Sequence, residues 1–163
     1  MASSSFSFEV VMSEYNLSIN QELVDRYTKH YFGIHTRAKN PPIPHPYHPS
    51  INEWMIMKRP MMNALKQKWK DFIVWAVEDQ GYTNLLIEQC NIEVDTYYAT
   101  GRRHDPDNSV IKFILDGMSD AGLIVDDDSK HVLALTLRCH VDKENPRTEI
   151  KIIVVDKKEN KNG

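Results

Sequence analysis

The chain turns on His104-Asp105-Pro106-Asp107-Asn108, which leads into Ser109-Val110-Ile111-Lys112-Phe113-Ile114-Leu115-Asp116-Gly117-Met118-Ser119-Asp120-Ala121 and then Gly122. After Leu123-Ile124-Val125 comes a second acidic group, Asp126-Asp127-Asp128. The middle stretch has helical spacing, and glycine is the usual residue just past a helix C-terminus. Residues 109–121 are therefore expected as a helix with carboxylates before and after it. Such a helix is about 20 Å long at about 1.5 Å per residue. If Gly122 reverses the chain, residues 123–127 in extended form cover roughly 16 Å at about 3.3 Å each. Asp127 would then return to the helix start, beside Asp107. Pro106 disfavours the helical region for Asp105, and residues two apart in an extended segment share a side. Asp105 and Asp107 are thus expected to point together.

Three carboxylates converging on one point repel unless a cation sits among them, and all-oxygen ligation suits Mg²⁺ or Mn²⁺. A plainer reading stands beside this one. Asp107, Asn108 and Ser109 are all favoured helix N-caps, Asp-Pro-Asp-Asn is ordinary turn chemistry, and Asp126-Asp127-Asp128-Ser129 can be a solvated loop.

The 163 residues suit one domain with a real core and leave little room for a second. The formal net charge of −3 counts against nucleic acid unless a local basic patch exists. No apolar run approaches the roughly 18 residues that span a membrane, and Met1-Ala2-Ser3-Ser4-Ser5 lacks the basic and apolar regions of a secretory signal. Cys90 and Cys139 show neither CxxC nor Cys/His spacing, so zinc is not expected. A reduced, cytoplasmic setting is the simplest expectation.

In chain order, residues 6–12 alternate partly and suggest a short strand. Leu23, Val24, Tyr27 and Tyr31 mark one helix face over residues 20–32, with Asn20 at its start. Asn40-Pro41-Pro42-Ile43-Pro44-His45-Pro46-Tyr47-His48-Pro49 reads as a stiff extended connector. His45 and His48 lack further ligands at metal spacing, so a solvated loop is expected there. Residues 60–80 form an amphipathic helix with stripe Met61, Leu65, Trp69, Phe72, Ile73 and Ala76. Lys58, Arg59, Lys66, Lys68 and Lys70 crowd its first half, either as a solvated face or as a strip for phosphates. Strands are expected over 87–98, 131–141 and 149–155, with Leu133, Leu135, Leu137 and Cys139 the apolar face of the second and 143–147 a hairpin turn. Ala99-Thr100-Gly101-Arg102-Arg103 would deliver two arginines to the acidic site. The expectation is a single α/β (α+β) layered domain, a mixed sheet flanked by helices. Its division is 1–49 as N-terminal extension and proline-rich connector, 50–156 as the main domain, and 157–163 as a charged tail.

Asp105-Pro106-Asp107-Asn108, Lys112, Asp116-Gly117-Met118, Ala121-Gly122 and Asp126-Asp127 resemble the signature of the RusA-type Holliday junction resolvases, small endonucleases common in prophages. Ser50-Ile51-Asn52-Glu53-Trp54 and the basic helix are similar to the family's N-terminal half. The resemblance covers about residues 50–155. It implies a RusA-like fold and a homodimer that binds branched DNA, such as a four-way junction, and cuts it symmetrically with Mg²⁺ in recombination and repair. It also implies that Asp105, Asp107 and Asp127 are metal-binding catalytic carboxylates and Lys112 the catalytic lysine, with Asp126 the second choice for the third acid. Lys58, Arg59, Lys66, Lys70, Arg102 and Arg103 are the DNA-binding candidates. One departure bears on geometry: Lys112 stands four residues after Asn108, where the family has three. At about 100° per residue, Lys112 faces the site only if the helix starts later than Ser109 or is distorted. The alternative function is a non-catalytic DNA- or protein-binding module on the same fold.

Overall fold

The computed structural model describes residues 13–156; the suggested strand at 6–12 and the tail from 157 lie outside the described residues. The elements in chain order are β1 (Glu14–Asn20), α1 (Gln21–Ile34), α2 (Ile51–Met55), α3 (Arg59–Asp79), β2 (Cys90–Tyr98), α4 (Lys112–Asp120), β3 (Val132–Val141) and β4 (Arg147–Val154). One four-stranded mixed sheet has the order β1-β4-β2-β3. β4 runs antiparallel to both β1 and β2, and β3 runs parallel to β2. Parallel neighbours need a crossover, and α4 supplies it between β2 and β3. The fold is a single α+β domain in two layers.

Alternation decides which face is covered. Ile92, Val94 and Thr96 of β2 and Thr148, Ile150 and Ile152 of β4 are buried, and so are Leu17 and Ile19 of β1. Against them lie Trp69, Phe72, Ile73, Ala76 and Val77 of α3 and Phe113, Ile114 and Met118 of α4. Each fully buried large apolar side chain contributes about 1.5–3 kcal/mol, so these helices are held mainly by that face. The opposite sheet face is polar. Asp95 takes Arg138 (2.7 Å) and His140 (2.7 Å), and Glu93 takes Arg138 at 3.2 Å. Residues 14–34 are part of this build: β1 pairs with β4 along its length, and Leu23, Val24 and Tyr27 of α1 enter the core. Asn20 caps α1 by accepting from the Leu23 amide at 2.9 Å.

Three expectations are corrected. Residues 143–147 are not a hairpin turn, because β2 lies between β3 and β4. The segment crosses the end of β2, pinned where Asp142 donates its amide to Tyr98 O (2.9 Å) and accepts Arg147 at 2.8 Å. Met61 is not in the buried stripe of α3 but 58% exposed, one turn before the core begins. Leu133 and Leu135 are on the helix side, Leu135 opposite Ile92, yet they are 48% and 42% exposed because β3 is an edge that the helices do not reach.

No helix among the described residues is long and apolar enough to cross a membrane.

Candidate active site

Helix α4 starts at Lys112, three residues later than the sequence pattern suggests, and the cause lies far away in the chain. The backbone of residues 108–110 is already engaged by the segment before α2. Ser109 bridges to Ser50, the Val110 amide donates to Pro49 O (3.1 Å), and the Ile51 amide donates to Asn108 O (3.4 Å). Asn108 Oδ1 accepts from the Asn52 amide at 3.2 Å. The capping reading of Asp107-Asn108-Ser109 is therefore corrected: Asn108 serves the start of α2, while the N-cap of α4 is Ile111, with no side-chain cap bond.

The late start brings Lys112 into the site. As the first residue of α4, it places Nζ 3.1 Å from Asp116 Oδ1 and 3.8 Å from Asp127 Oδ2. Its bond to Asp116 holds the ammonium more firmly protonated than an ordinary lysine.

The return from α4 follows the fold-back expected from Gly122. That glycine sits at φ +74°, and the Leu123 amide reaches Met118 O while the Gly122 amide reaches Ser119 O, both at 3.0 Å. This pattern closes the helix with a left-handed residue. The chain then runs beside Ile87, with the Val125 amide donating to Ile87 O at 3.0 Å. Of the three aspartates that follow, two are engaged by nearby amides. Asp126 Oδ1 accepts from the Asp127 amide (2.7 Å), and Asp128 Oδ1 accepts from Lys130 and His131 at 3.0 and 3.2 Å. Asp127 is the one that faces Lys112. Burial pushes its carboxyl above the usual range, Asp116 and Asp126 beside it push the same way, and Lys112 only partly offsets them.

Asp105 Oδ1 faces Arg103 Nε at 3.2 Å, and Asp107 is exposed. Among the described residues no three His, Cys, Asp or Glu side chains form a metal-holding group. Carboxylates repel at short range and each takes the nearest cation, which is what Asp105 and Asp127 do here. The donor chemistry fits a hard cation all the same: every candidate ligand is a carboxylate oxygen, and Asp127 stands in a neighbourhood short of positive charge.

Among the basic candidates, Lys58, Arg59, Arg102 and Arg103 are exposed. Lys66 and Lys70 turn instead to α4, Lys66 Nζ 3.9 Å from Asp116 Oδ2 and Lys70 Nζ 2.7 Å from Asp120 Oδ2. The solvated loop expected at His48 is also corrected, and His104 takes a place that the sequence did not suggest. His48 is buried, with Nδ1 3.3 Å from Pro49 O and Nε2 3.1 Å from Thr96 Oγ1. A carbonyl only accepts, so Nδ1 carries the proton and Nε2 accepts from Thr96. Burial holds this imidazole neutral, its pKa below the usual value. His104 stacks flat on Tyr98, with centroids 3.6 Å apart, and buries Nε2 without a partner. For Asp116 a signal existed, its i,i+4 spacing from Lys112. For His48 and His104 none did, since their partners are set by the sheet.

The model of the family described as endodeoxyribonuclease RusA matches residues 44–153. The match takes in α2, α3, the acidic loop, α4 and β3, and leaves out β1 and α1. No curated protein shows significant sequence similarity to the chain.

Proposed function

The chain belongs to the RusA family of endodeoxyribonucleases, and on that premise we propose that it is a Mg²⁺-dependent, structure-specific endonuclease that resolves four-way junctions and other branched DNA in recombination and repair. The observation that carries the reading is the meeting of Lys112 with Asp127 at the uncapped start of α4, 3.8 Å apart. In this reading Asp105, Asp107 and Asp127 hold the cation, Mg²⁺ or its usual substitute Mn²⁺, and Asp126 serves the backbone turn. When bound, the cation supplies water activation and neutralises charge on the phosphoryl oxygens. Lys112 brings a full positive charge to the same side, where charge develops during phosphodiester hydrolysis. The free amides at the start of α4 favour an anion there as well.

Of the basic candidates, Lys58, Arg59 and Arg102 are left for DNA phosphates; Arg103 is paired with Asp105, and Lys66 and Lys70 direct their charge toward α4. Binding should therefore weaken with salt, log K falling by roughly 0.9 per log unit of salt for each phosphate contact. The same reading puts the protein in the cytoplasm with its DNA and takes residues 1–49 as an extension to the family's nuclease domain, one whose residues 14–34 complete the same sheet and core.

A homodimer is part of the proposal. The β3 edge supports it: Leu133, Leu135 and Val141 are 48%, 42% and 51% exposed, and the strand lacks the lysines and prolines that guard free edges. Light scattering should give twice the 19.0 kDa chain mass. A strict monomer at micromolar concentration would remove the dimer from the account.

The decisive assay incubates the protein with a labelled four-way junction and Mg²⁺, beside linear duplex and a chelated control. Paired nicks confined to the junction with Mg²⁺ are expected. The arrest of Asp105 by Arg103 favours one competing reading, a non-catalytic module that binds DNA or protein on the same fold. Tight junction binding with no nick over hours at stoichiometric protein would favour that module.

A further inference from the structure

Lys112 is an odd residue to find where it is. It occupies the first position of α4, where the helix dipole is positive and disfavours a cation. Its i,i+4 partner Asp116 lies C-terminal to it, the less favourable order for an ion pair on a helix. Local helix stability therefore does not explain the pair. Nor does burial, because the Lys112 side chain is 63% exposed. A lysine has a flexible four-carbon stem, and holding its ammonium at one point costs rotamer freedom.

What holds it is Asp116. This carboxylate is only 16% exposed, on the inner side of α4, with Oδ1 3.1 Å from Lys112 Nζ. Its second oxygen faces Lys66 of α3 at 3.9 Å. Both oxygens are thus turned to lysines, and the carboxylate also lies beside Asp127, which places Asp116 as a bracket between the Lys112 ammonium and that acid. The bracket sits on a rigid base: beside it, Gly117 lets α4 approach Ile73 of α3 so closely that an added Cβ would lie 2.5 Å from Ile73 Cβ. Lys112 then reaches from the bracket to Asp127 at 3.8 Å.

We propose that Asp116 is a positioning residue of the nuclease site, fixing the Lys112 ammonium beside Asp127 while Lys66 fixes Asp116 from α3. The inference rests on the reading of the α4 start as the cleavage site. In this role Asp116 acts through Lys112, which it holds at 3.1 Å.

The test compares wild type, Asp116→Asn, Lys112→Ala, the double variant and Lys66→Met in single-turnover junction cleavage and junction binding. Asp116→Asn should slow cleavage about 10- to 100-fold, the range for groups that orient a catalytic residue, with junction affinity unchanged and Asp116→Glu partly restoring the rate. The double variant should be no slower than Lys112→Ala, since both changes remove one device. Lys66→Met should give a smaller loss in the same direction, and it leaves Asp116 in place should Asp116→Asn fail to fold. A second readout needs neither metal nor DNA. In the NMR spectrum the two Lys112 ε-protons should be inequivalent in the wild type and should merge in Asp116→Asn. Losses that multiply in the double variant, or ε-protons indifferent to Asp116, would overturn the inference. If the wild type cuts no junction, the proposed function falls, and the ε-proton signal still decides whether Asp116 fixes Lys112.

Discussion

The two ends of α4 are built on opposite rules. At its C-terminal half the helix is locked: Gly117 lies against Ile73 without room for a methyl group, Gly122 turns the chain at φ +74°, and Leu123 closes the cap onto Met118 at 3.0 Å. At its N-terminus nothing caps the helix, and the first residue is an exposed lysine between carboxylates. The first arrangement is what packing favours. The second costs stability, through like-charge crowding and a cation at the positive end of the dipole. A chain that closes one end so tightly and leaves the other charged and open has the pattern of a rigid platform under a chemical site.

That contrast is breakable, most severely at the open end. Asp107→Asn should cut junction cleavage by about 10²–10³-fold, the range for losing one preorganised charge-stabilising group. Thermal stability and junction binding should hold, because Asp107 caps no helix. Parallel loss of binding, cleavage and folded signal in that variant would make the acidic loop structural after all.

At the locked end the effects should fall on stability instead. Gly117→Val should lower it by up to about 3 kcal/mol, the cost of overpacking a tight contact, read as a drop of about 2–4 °C in Tm per kcal/mol. Cleavage per folded molecule at low temperature should be retained. Gly122→Ala should cost about 1–2 kcal/mol for the left-handed backbone, with Asn84 Oδ1 only 2.8 Å from the new methyl. An unchanged Tm in both variants would mean that the helix pair is looser than its geometry.

The smallest effect concerns pH and sharpens the picture of the open end. His48 is neutral in the fold, and its pKa lies below the 6.5 of a free imidazole. Between that lowered value and 6.5 the unfolded chain binds the proton and the folded chain does not. Stability should therefore be complete above pH 6.5 and fall as pH drops through that window. Because Pro49, beside His48, holds the Val110 amide at 3.1 Å, amide exchange at 108–110 should quicken first. His48→Gln should remove this pH dependence, seen as a flat Tm across the same range; a wild-type Tm already flat there would remove His48 from this role.

The contrast also separates what the sequence showed from what it hid. The helical periods of α1, α3 and α4 and the alternation of β2 and β4 were legible because burial follows a local rhythm of 3.6 or 2 residues. The return of the chain after Gly122 was legible too, through a glycine that the turn demands. Strand order was not, since the pairing of β4 between β1 and β2 depends on registers set far apart in sequence. Nor was the late start of α4, because the groups that hold Asn108 and Val110 are Asn52 and Pro49, about sixty residues upstream. That single long-range effect turned Lys112 from one position out of place into the residue facing Asp127.

The most direct test of the account is single-turnover cleavage of a labelled four-way junction with Mg²⁺ by wild type and by Asp127→Asn at equal junction occupancy. Paired nicks are expected from the wild type and none from Asp127→Asn. Nicks at the wild-type rate from Asp127→Asn would contradict it.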